Sequence, residues 1–523
     1  MPFSRRKNKN AIGGRVSGLI LACLPLACWG NDLDTMGVTL LRADHAALTG
    51  AGIDVAQPEA METNPPAEFE VNFAAIDEPK SLFAWISTNG VETVFPNDLG
   101  AESQHADDVA SYFYGPSAGV APGVAHVDNY EADYFYQNIV AAGLPMNMSD
   151  LVVNQSFAFY IGPPSQQQVD STYDNYIANY GNVFCSSVNG LGTNVGPPGT
   201  AYNCIGVGAY GNGAVICDGP TLDNGRSKPD IVAPGTETSW TTPFVSGAAA
   251  VLLQAAAAGD GGSNTAEAGD ARTIKALLLN GALKPFDWTH TATAPLDTRY
   301  GAGVLNLFYS YQQLAGGQQG RASENTVSSG GAHPPVSSGP TAGSLAGWNY
   351  ETVGINFLYD TVDHYLFNVS SNSTLTATLV WERHANMTNL NNLALFLYNA
   401  STAALLSSSV SQVDNVQHLY LPRLAPGAYD LEVVTYARIT AETYALAYQF
   451  FAMTPPNLSV TVSGPDAIIT WPWSPTVYAL QQTSSLNPPS AWTSVAAAEW
   501  ITNDTVWTSV KNTGGAAFFR LAR

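Results

Sequence analysis

Ser239 stands in Gly235-Thr-Glu-Thr-Ser-Trp-Thr-Thr-Pro-Phe-Val-Ser-Gly247, a run that passes directly into Ala248-Ala-Ala-Val-Leu-Leu253. A loop ending on Thr238-Ser239, then Pro243 and an apolar Ala-rich stretch, describes a serine presented at the start of a buried helix. A helix N-terminus offers backbone N–H groups with no partner inside the helix and the positive end of its dipole. Both favour an oxyanion developing beside the serine. The small residues let such a helix pack close beneath the site. The chemistry implied is nucleophilic attack through a covalent intermediate. A serine hydroxyl performs it only when a base takes its proton and a third group orients that base.

With Lys228-Pro-Asp-Ile-Val-Ala-Pro-Gly235 ahead of it, this segment resembles the nucleophile segment of subtilisin-like serine peptidases (the S8 family). The resemblance implies partners for Ser239. His105, in Ser103-Gln-His-Ala-Asp-Asp-Val-Ala110, takes the place of the base and is followed by Gly119-Val-Ala-Pro-Gly-Val-Ala-His-Val127, the turn into a buried strand expected there. The residues after the base depart from the family: Ala106-Asp107-Asp108 stands for Gly-Thr-His, and Ser111 for a glycine. Thr49-Gly-Ala-Gly-Ile-Asp-Val-Ala56 matches the family's approach to its first strand and continues Gln57-Pro58-Glu59, which puts Glu59 where the orienting aspartate would stand. A glutamate is one methylene longer and can accept the imidazole N–H from slightly farther back. Asp77, in Ala74-Ala-Ile-Asp77, competes for the role but lacks the Gly-x-Gly approach and precedes Glu78-Pro79. Asn189, in Asn182-Val-Phe-Cys-Ser-Ser-Val-Asn-Gly190, takes the place of the oxyanion donor, beside the backbone N–H of Ser239. The order Glu59, His105, Asn189, Ser239 is the family's order. The likeness runs over about 48–307, ending with Tyr300-Gly-Ala-Gly-Val-Leu-Asn306.

The implied activity is a serine endopeptidase acting on protein or peptide substrates, with no cofactor required for catalysis. Bound calcium is frequent in such peptidases, but no loop here specifies it. Val152-Val-Asn-Gln-Ser-Phe-Ala-Phe159 corresponds to the family's substrate-pairing strand, with Phe157-Ala158-Phe159 in place of the usual glycines. Those aromatics either narrow the specificity pocket or join the core. The rival reading is a catalytically inactive surface or binding protein that keeps the fold. Glu59 for aspartate, the residues after His105, and Glu237 beside the serine favour it. A third reading rests on Gly115-Pro-Ser-Ala-Gly119, which matches the Gly-x-Ser-x-Gly elbow of α/β-hydrolases. That elbow needs a strand before it and a helix after it. Here the helix-like Val109-Ala-Ser-Tyr-Phe-Tyr114 precedes it and a turn follows.

The elements that must hold these residues can be read along the chain. At 523 residues there is room for about three domains. Residues 1–30 combine the cationic Arg5-Arg-Lys-Asn-Lys9 and Arg15 with an apolar stretch, Val16 to Trp29, too short to span a bilayer. That is the pattern of a secretory signal peptide, and export to the outside or the cell surface is expected. Ile20-Leu-Ala-Cys23 also fits a lipoprotein cleavage box, so a lipid anchor is the alternative; no later segment reads as a membrane span. Residues 31–316 alternate short apolar runs with helical patterns, as in an α/β domain with a mostly parallel sheet. Its strands are expected at 53–56, 124–127, 151–153, 183–185 and 204–207. A Gly/Ser/Pro-rich stretch, 317–347, reads as a linker. Alternating apolar residues in 348–452, such as Leu375, Ala377, Leu379 and Trp381, read as a β-sandwich. A smaller β unit is expected over 453–523, where Trp471, Trp473 and Trp492 could contact polymers or fill the core.

The net charge is −22, with 12% charged residues. Such a surface repels nucleic acid. Composition leaves the oligomeric state open. Of the cysteines beyond the signal segment, Cys185 lies in an apolar run and is expected as a buried thiol. Cys204 and Cys217 could close a short loop as a disulfide in an exported protein. No Cys/His spacing along the sequence suggests a metal site.

Overall fold

The computed structural model describes residues 32–522 except 61–65, 143–146, 160–161, 190–193, 212–217, 286, 323–332, 338, 340, 355–360, 436–440, 454–455, 473–477, 488–490, 496, 498, 503–504 and 512–513. Residues 1–30, expected as a signal peptide, and Cys217 and Trp473 therefore lie outside the described residues.

The α/β domain is built on an eight-stranded sheet. In chain order its strands are β1 (Asp54–Glu59), β2 (Phe83–Ser87), β3 (Gly90–Glu92), β4 (His126–Glu131), β5 (Val152–Gln155), β6 (Val183–Ser187), β7 (Ile205–Tyr210) and β8 (Ile231–Pro234). Across the sheet they run β8-β7-β6-β5-β1-β4-β2-β3. All neighbours are parallel except β2 and β3. The interior strands are buried on both faces, which is why they read as short continuous apolar runs. The expected strands appear, each extending farther toward its C-terminal end. Three strands come in addition: β2, β3 and β8.

Four long helices matter for the site and its support: α1 (Gln104–Phe113), α2 (Pro163–Tyr180), α3 (Thr238–Ala258) and α4 (Ala271–Gly281). Helix α3 is the one described helix long and apolar enough to cross a membrane, and 83% of its apolar window is buried inside the protein. It is a core helix. Gly247 explains how closely it seats: a Cβ there would come within 2.6 Å of Val120 Cβ and 3.2 Å of Phe113 O. Gly115-Pro-Ser-Ala-Gly119 is the turn that leaves α1, with no strand before it and no helix after it, so it forms no nucleophile elbow.

Strands β9 (Ala346–Val353), β10 (Val362–Val369), β11 (Ser373–Trp381), β12 (Leu393–Asn399), β13 (Ala404–Ser409), β14 (Val416–Leu424), β15 (Gly427–Thr435) and β16 (Glu442–Ala452) make two four-stranded antiparallel sheets, β9-β16-β11-β14 and β10-β15-β12-β13. Tyr365, Phe367, Leu375, Leu379, Leu395, Leu431 and Leu446 fill the space between them. The sandwich also joins the core of the α/β domain. Trp348, Val380, Val416, Ala445 and Ala447 belong to the same buried cluster as Leu277 and Leu278 of α4. Described residues of the Gly/Ser/Pro-rich stretch are tied to the sandwich, with Ala322 N–H donating to His364 O (2.7 Å) and Ala342 N–H to Leu366 O (2.8 Å). Among the described residues beyond 452, seven short strands form one four-stranded and one three-stranded antiparallel sheet. Trp471 is in the core of that unit, and the Arg520 guanidinium covers the Trp492 ring at 4.3 Å.

Cys185 and Cys204 are buried free thiols. Burial pushes the Cys185 thiol up to about 12, too high for a reactive thiolate.

Candidate active site

Glu59 is the last residue of β1, at the carboxyl end of a parallel sheet, where α/β folds place their sites. Its side chain is 1% exposed. Glu59 Oε2 lies 2.8 Å from His105 Nδ1. Glu59 Oε1 accepts from Gln57 Nε2 at 2.8 Å, and that amide also donates to Ala106 O at 3.0 Å. Gln57 Oε1 in turn accepts from the Tyr114 hydroxyl at 2.5 Å. Gln57 and Glu59 share a strand face because side chains alternate with period two. The longer glutamate is thereby steadied on its far oxygen while the near one meets the imidazole. Asp77 does not take this place; it is exposed on a turn, with φ 59°.

His105 is the second residue of α1, whose N-cap Ser103 accepts from Ala106 N–H at 3.2 Å. The imidazole is 25% exposed. Its ring lies 5.1 Å from that of Trp240, the residue after Ser239. Tyr112 of α1 meets Trp240 and Phe244 of α3 at 6.4 and 5.1 Å, so the two helices carry the histidine and the serine to one place.

Ser239 is the second residue of α3, after Glu237 as N-cap. The first turn is fixed by its threonines: Thr238 Oγ1 donates to Asn189 O at 2.5 Å, and Thr241 Oγ1 to Gly208 O at 2.9 Å. Pro243 lies inside the helix and has no N–H to give the carbonyl four residues earlier, that of Ser239. That freed carbonyl accepts from Ser156 Oγ at 3.0 Å, and Ser239 Oγ donates back to Ser156 O at 3.2 Å. Ser156 follows β5, so the reciprocal pair pins the start of α3 to the strand expected to bind substrate. Glu237 is exposed, and its side chain makes no capping bond.

Asn189 follows β6, is buried, and its amide donates to the carbonyl of Asn194. Phe157 and Phe159 are half-buried, with ring centroids 5.9 Å apart, and Phe159 meets Tyr136 at 5.4 Å. They line the margin of the core rather than its centre.

The structure thus brings Glu59, His105 and the start of α3 together and sets Asn189 against Thr238. Gln57, Tyr114 and Ser156 join them without having been singled out by sequence. The i, i+2 relation of Gln57 to Glu59 on a buried strand is the signal that could have found Gln57.

Residues 88–303 match the model of the subtilase family, peptidase S8. The α/β domain belongs to the subtilase family. Glu59 lies before the matched stretch, whereas His105, Asn189 and Ser239 lie within it. No curated protein matches the chain. Among solved structures, the prenylagaramide maturation protease PagA is 17% identical, with 53% of this chain and 98% of that one covered and a TM-score of 0.37. The patellamide maturation protease PatA is 21% identical over 51% and 98%, with a TM-score of 0.35. The pre-peptidase C-terminal domain of a Bacillus anthracis collagenase is 19% identical over 20% and 90%, with a TM-score of 0.17.

Proposed function

We propose that the chain is an exported serine endopeptidase that cleaves peptide bonds through an acyl-enzyme. The observation that carries this reading is the 2.8 Å contact between Glu59 and His105 at the buried end of β1, with the imidazole against Trp240, the residue that follows Ser239. A carboxylate on Nδ1 keeps the proton there and leaves the lone pair on Nε2. That nitrogen takes the Ser239 proton as Oγ leaves the Ser156 carbonyl and bonds to the scissile carbon. The oxyanion so formed is met by the Ser239 backbone N–H at the start of α3 and by the Asn189 amide, once the latter turns from Asn194 O. Collapse expels the amine, which takes its proton from His105. Water then repeats the sequence on the ester. An extended peptide would pair with the backbone beyond β5. Export rests on the pattern of residues 1–30.

The inactive-protein reading draws on one observation, that the Ser239 hydroxyl is engaged by Ser156. In enzymes without substrate, however, catalytic hydrogen bonds are commonly loose and tighten on binding. The discriminating experiment is turnover of an unfolded protein substrate by the purified chain. Cleavage lost in both Ser239→Ala and His105→Ala supports the peptidase. No cleavage by the unaltered chain, or cleavage that survives Ser239→Ala, refutes it.

A further inference from the structure

On the outer face of the sheet β10-β15-β12-β13, away from the sandwich core, two buried carboxylates meet one buried and one half-buried imidazole. His364 of β10 stands opposite Glu432 of β15, and Asp430, two residues earlier, points to the same face. His364, Asp430 and Glu432 are all 0% exposed. His364 Nδ1 is 2.7 Å from Asp430 Oδ2 and 3.6 Å from Glu432 Oε1, and His333 Nδ1 is 2.9 Å from Glu432 Oε2. His333 arrives on the described part of the Gly/Ser/Pro-rich stretch, which crosses this face. Val336 N–H donates to Asp430 Oδ2 at 2.7 Å. Phe396 of β12, 4.5 Å from His333 ring to ring, helps keep water out.

This cluster is poorly explained as an ion-pair network. Two buried carboxylates are costly unless their charge and their lone pairs are both met. Among the described residues, the ion pairs to them come from imidazoles only. Asp430 Oδ1, Glu432 Oε1 and His364 Nε2 are nevertheless buried with no hydrogen-bond partner among the described residues. One donor atom from each of His364, Asp430 and Glu432 lies within 4.8 Å of the others. Ligands about 2.0–2.2 Å from one tetrahedral ion stand roughly 3.5 Å apart, so these three residues would close on an ion by side-chain shifts on the order of 1 Å, with His333 joining from the covering segment.

We propose that His333, His364, Asp430 and Glu432 form a zinc site that clamps the 333–336 segment onto the sandwich. Imidazole nitrogen with carboxylate oxygen suits zinc, whereas calcium takes oxygen ligands almost alone. A divalent cation neutralises both carboxylates with the imidazoles neutral and gives the bare oxygens a partner. The site is independent of Ser239, so it stands or falls apart from the peptidase reading.

The full chain, stripped with a chelator and re-exposed to zinc sulfate, is expected to retain one zinc through gel filtration and to melt at a higher temperature with it. Cobalt in place of zinc should give the visible absorption of a low-symmetry nitrogen and oxygen site. His364→Ala and Glu432→Gln should lose the metal. His333→Ala, on the covering segment rather than in the sheet, should bind more weakly while its circular dichroism stays native. Ser239→Ala should bind as the unaltered chain does. The proposal is overturned if the unaltered chain retains no zinc, or if folded His333→Ala and Glu432→Gln chains retain it undiminished.

Discussion

The carboxylate of Glu59 is held at both oxygens, by Gln57 on one and His105 on the other. An orienting acid acts through a lone pair aimed at Nδ1–H, so its amide should reverse that bond and favour the wrong tautomer. Glu59→Gln is expected to lower kcat on the order of 10^4-fold, the effect of such a change in a serine triad. Asp77→Asn should leave kcat unchanged. A loss of equal size in Asp77→Asn would remove Glu59 from its role. Asp107, two residues after His105, gives a second test at this scale. Burial pushes its carboxyl up to about 7, against the opposing hydrogen bond from Asn72 N–H. The folded state therefore holds that proton between about pH 4 and pH 7 while the unfolded chain does not, and the stability so contributed is lost as pH rises through 7. Asp107→Asn stays neutral throughout. Its melting temperature relative to the unaltered chain should rise between about pH 5 and pH 8, by the equivalent of about 1 kcal/mol or more. A difference flat with pH would contradict the assignment. The helix starts that carry Ser239 and His105 were legible from their flanking residues, because backbone demands at a helix start restrict those flanks. Ser156 was not, since the bond it makes depends on a carbonyl freed by Pro243 far along the chain.

The elements that carry the site meet through small residues. Gly247 of α3 faces Val120 and Phe113 at a distance with no room for a side chain. Gly247→Val should force α1 and α3 apart, costing about 1–3 kcal/mol of stability. It should also lower activity by more than it changes substrate affinity, because His105 and Ser239 ride on the separated helices. Denaturant unfolding and steady-state kinetics check the two halves of this prediction, and an unaffected kcat would show that the helices do not set the geometry. The parallel sheet was readable because its strands are short apolar runs between helical patterns. Strand β2 was not expected, since Phe83-Ala-Trp-Ile-Ser87 follows an irregular stretch that gives no helix to mark it. The three residues of β3 are exposed or half-buried and carry no apolar run at all. Strand β8 was hidden inside the segment leading to Ser239. Strand ends were placed early because β1, β5 and β7 finish on polar residues, Glu59, Gln155 and Tyr210, which the fold uses at its carboxyl edge.

The change in composition near residue 316 marks where the α/β domain gives way to β-structure, but it conceals how firmly the two are joined. Asn280 of α4 accepts from Thr376 and Thr378 hydroxyls of β11, each at 2.9 Å. Arg383 pairs with Asp174 of α2 at 2.6 Å, and Asp414 Oδ1 accepts from Ser227 N–H at 2.6 Å. These groups are buried, and leaving one unmet costs about 1–3 kcal/mol. Asn280→Ala should therefore lower the unfolding free energy by about that amount, measured by denaturant titration. A chain ended at residue 316 should expose the apolar flank of α4 and be recovered mainly as aggregate. Soluble, cooperatively folding material would contradict a shared core. No sequence period announces such an interface, because its residues belong to elements whose periods are already used within their own domains.

Whether Ser239 is an activated nucleophile is tested most directly by reaction with a fluorophosphonate. Intact-mass and peptide analysis of the purified chain should find a phosphonyl group on Ser239, absent after Ser239→Ala and much slower to form after His105→Ala or Glu59→Gln. An unaltered chain that gains no adduct, or gains one on another residue, would contradict that role for Ser239.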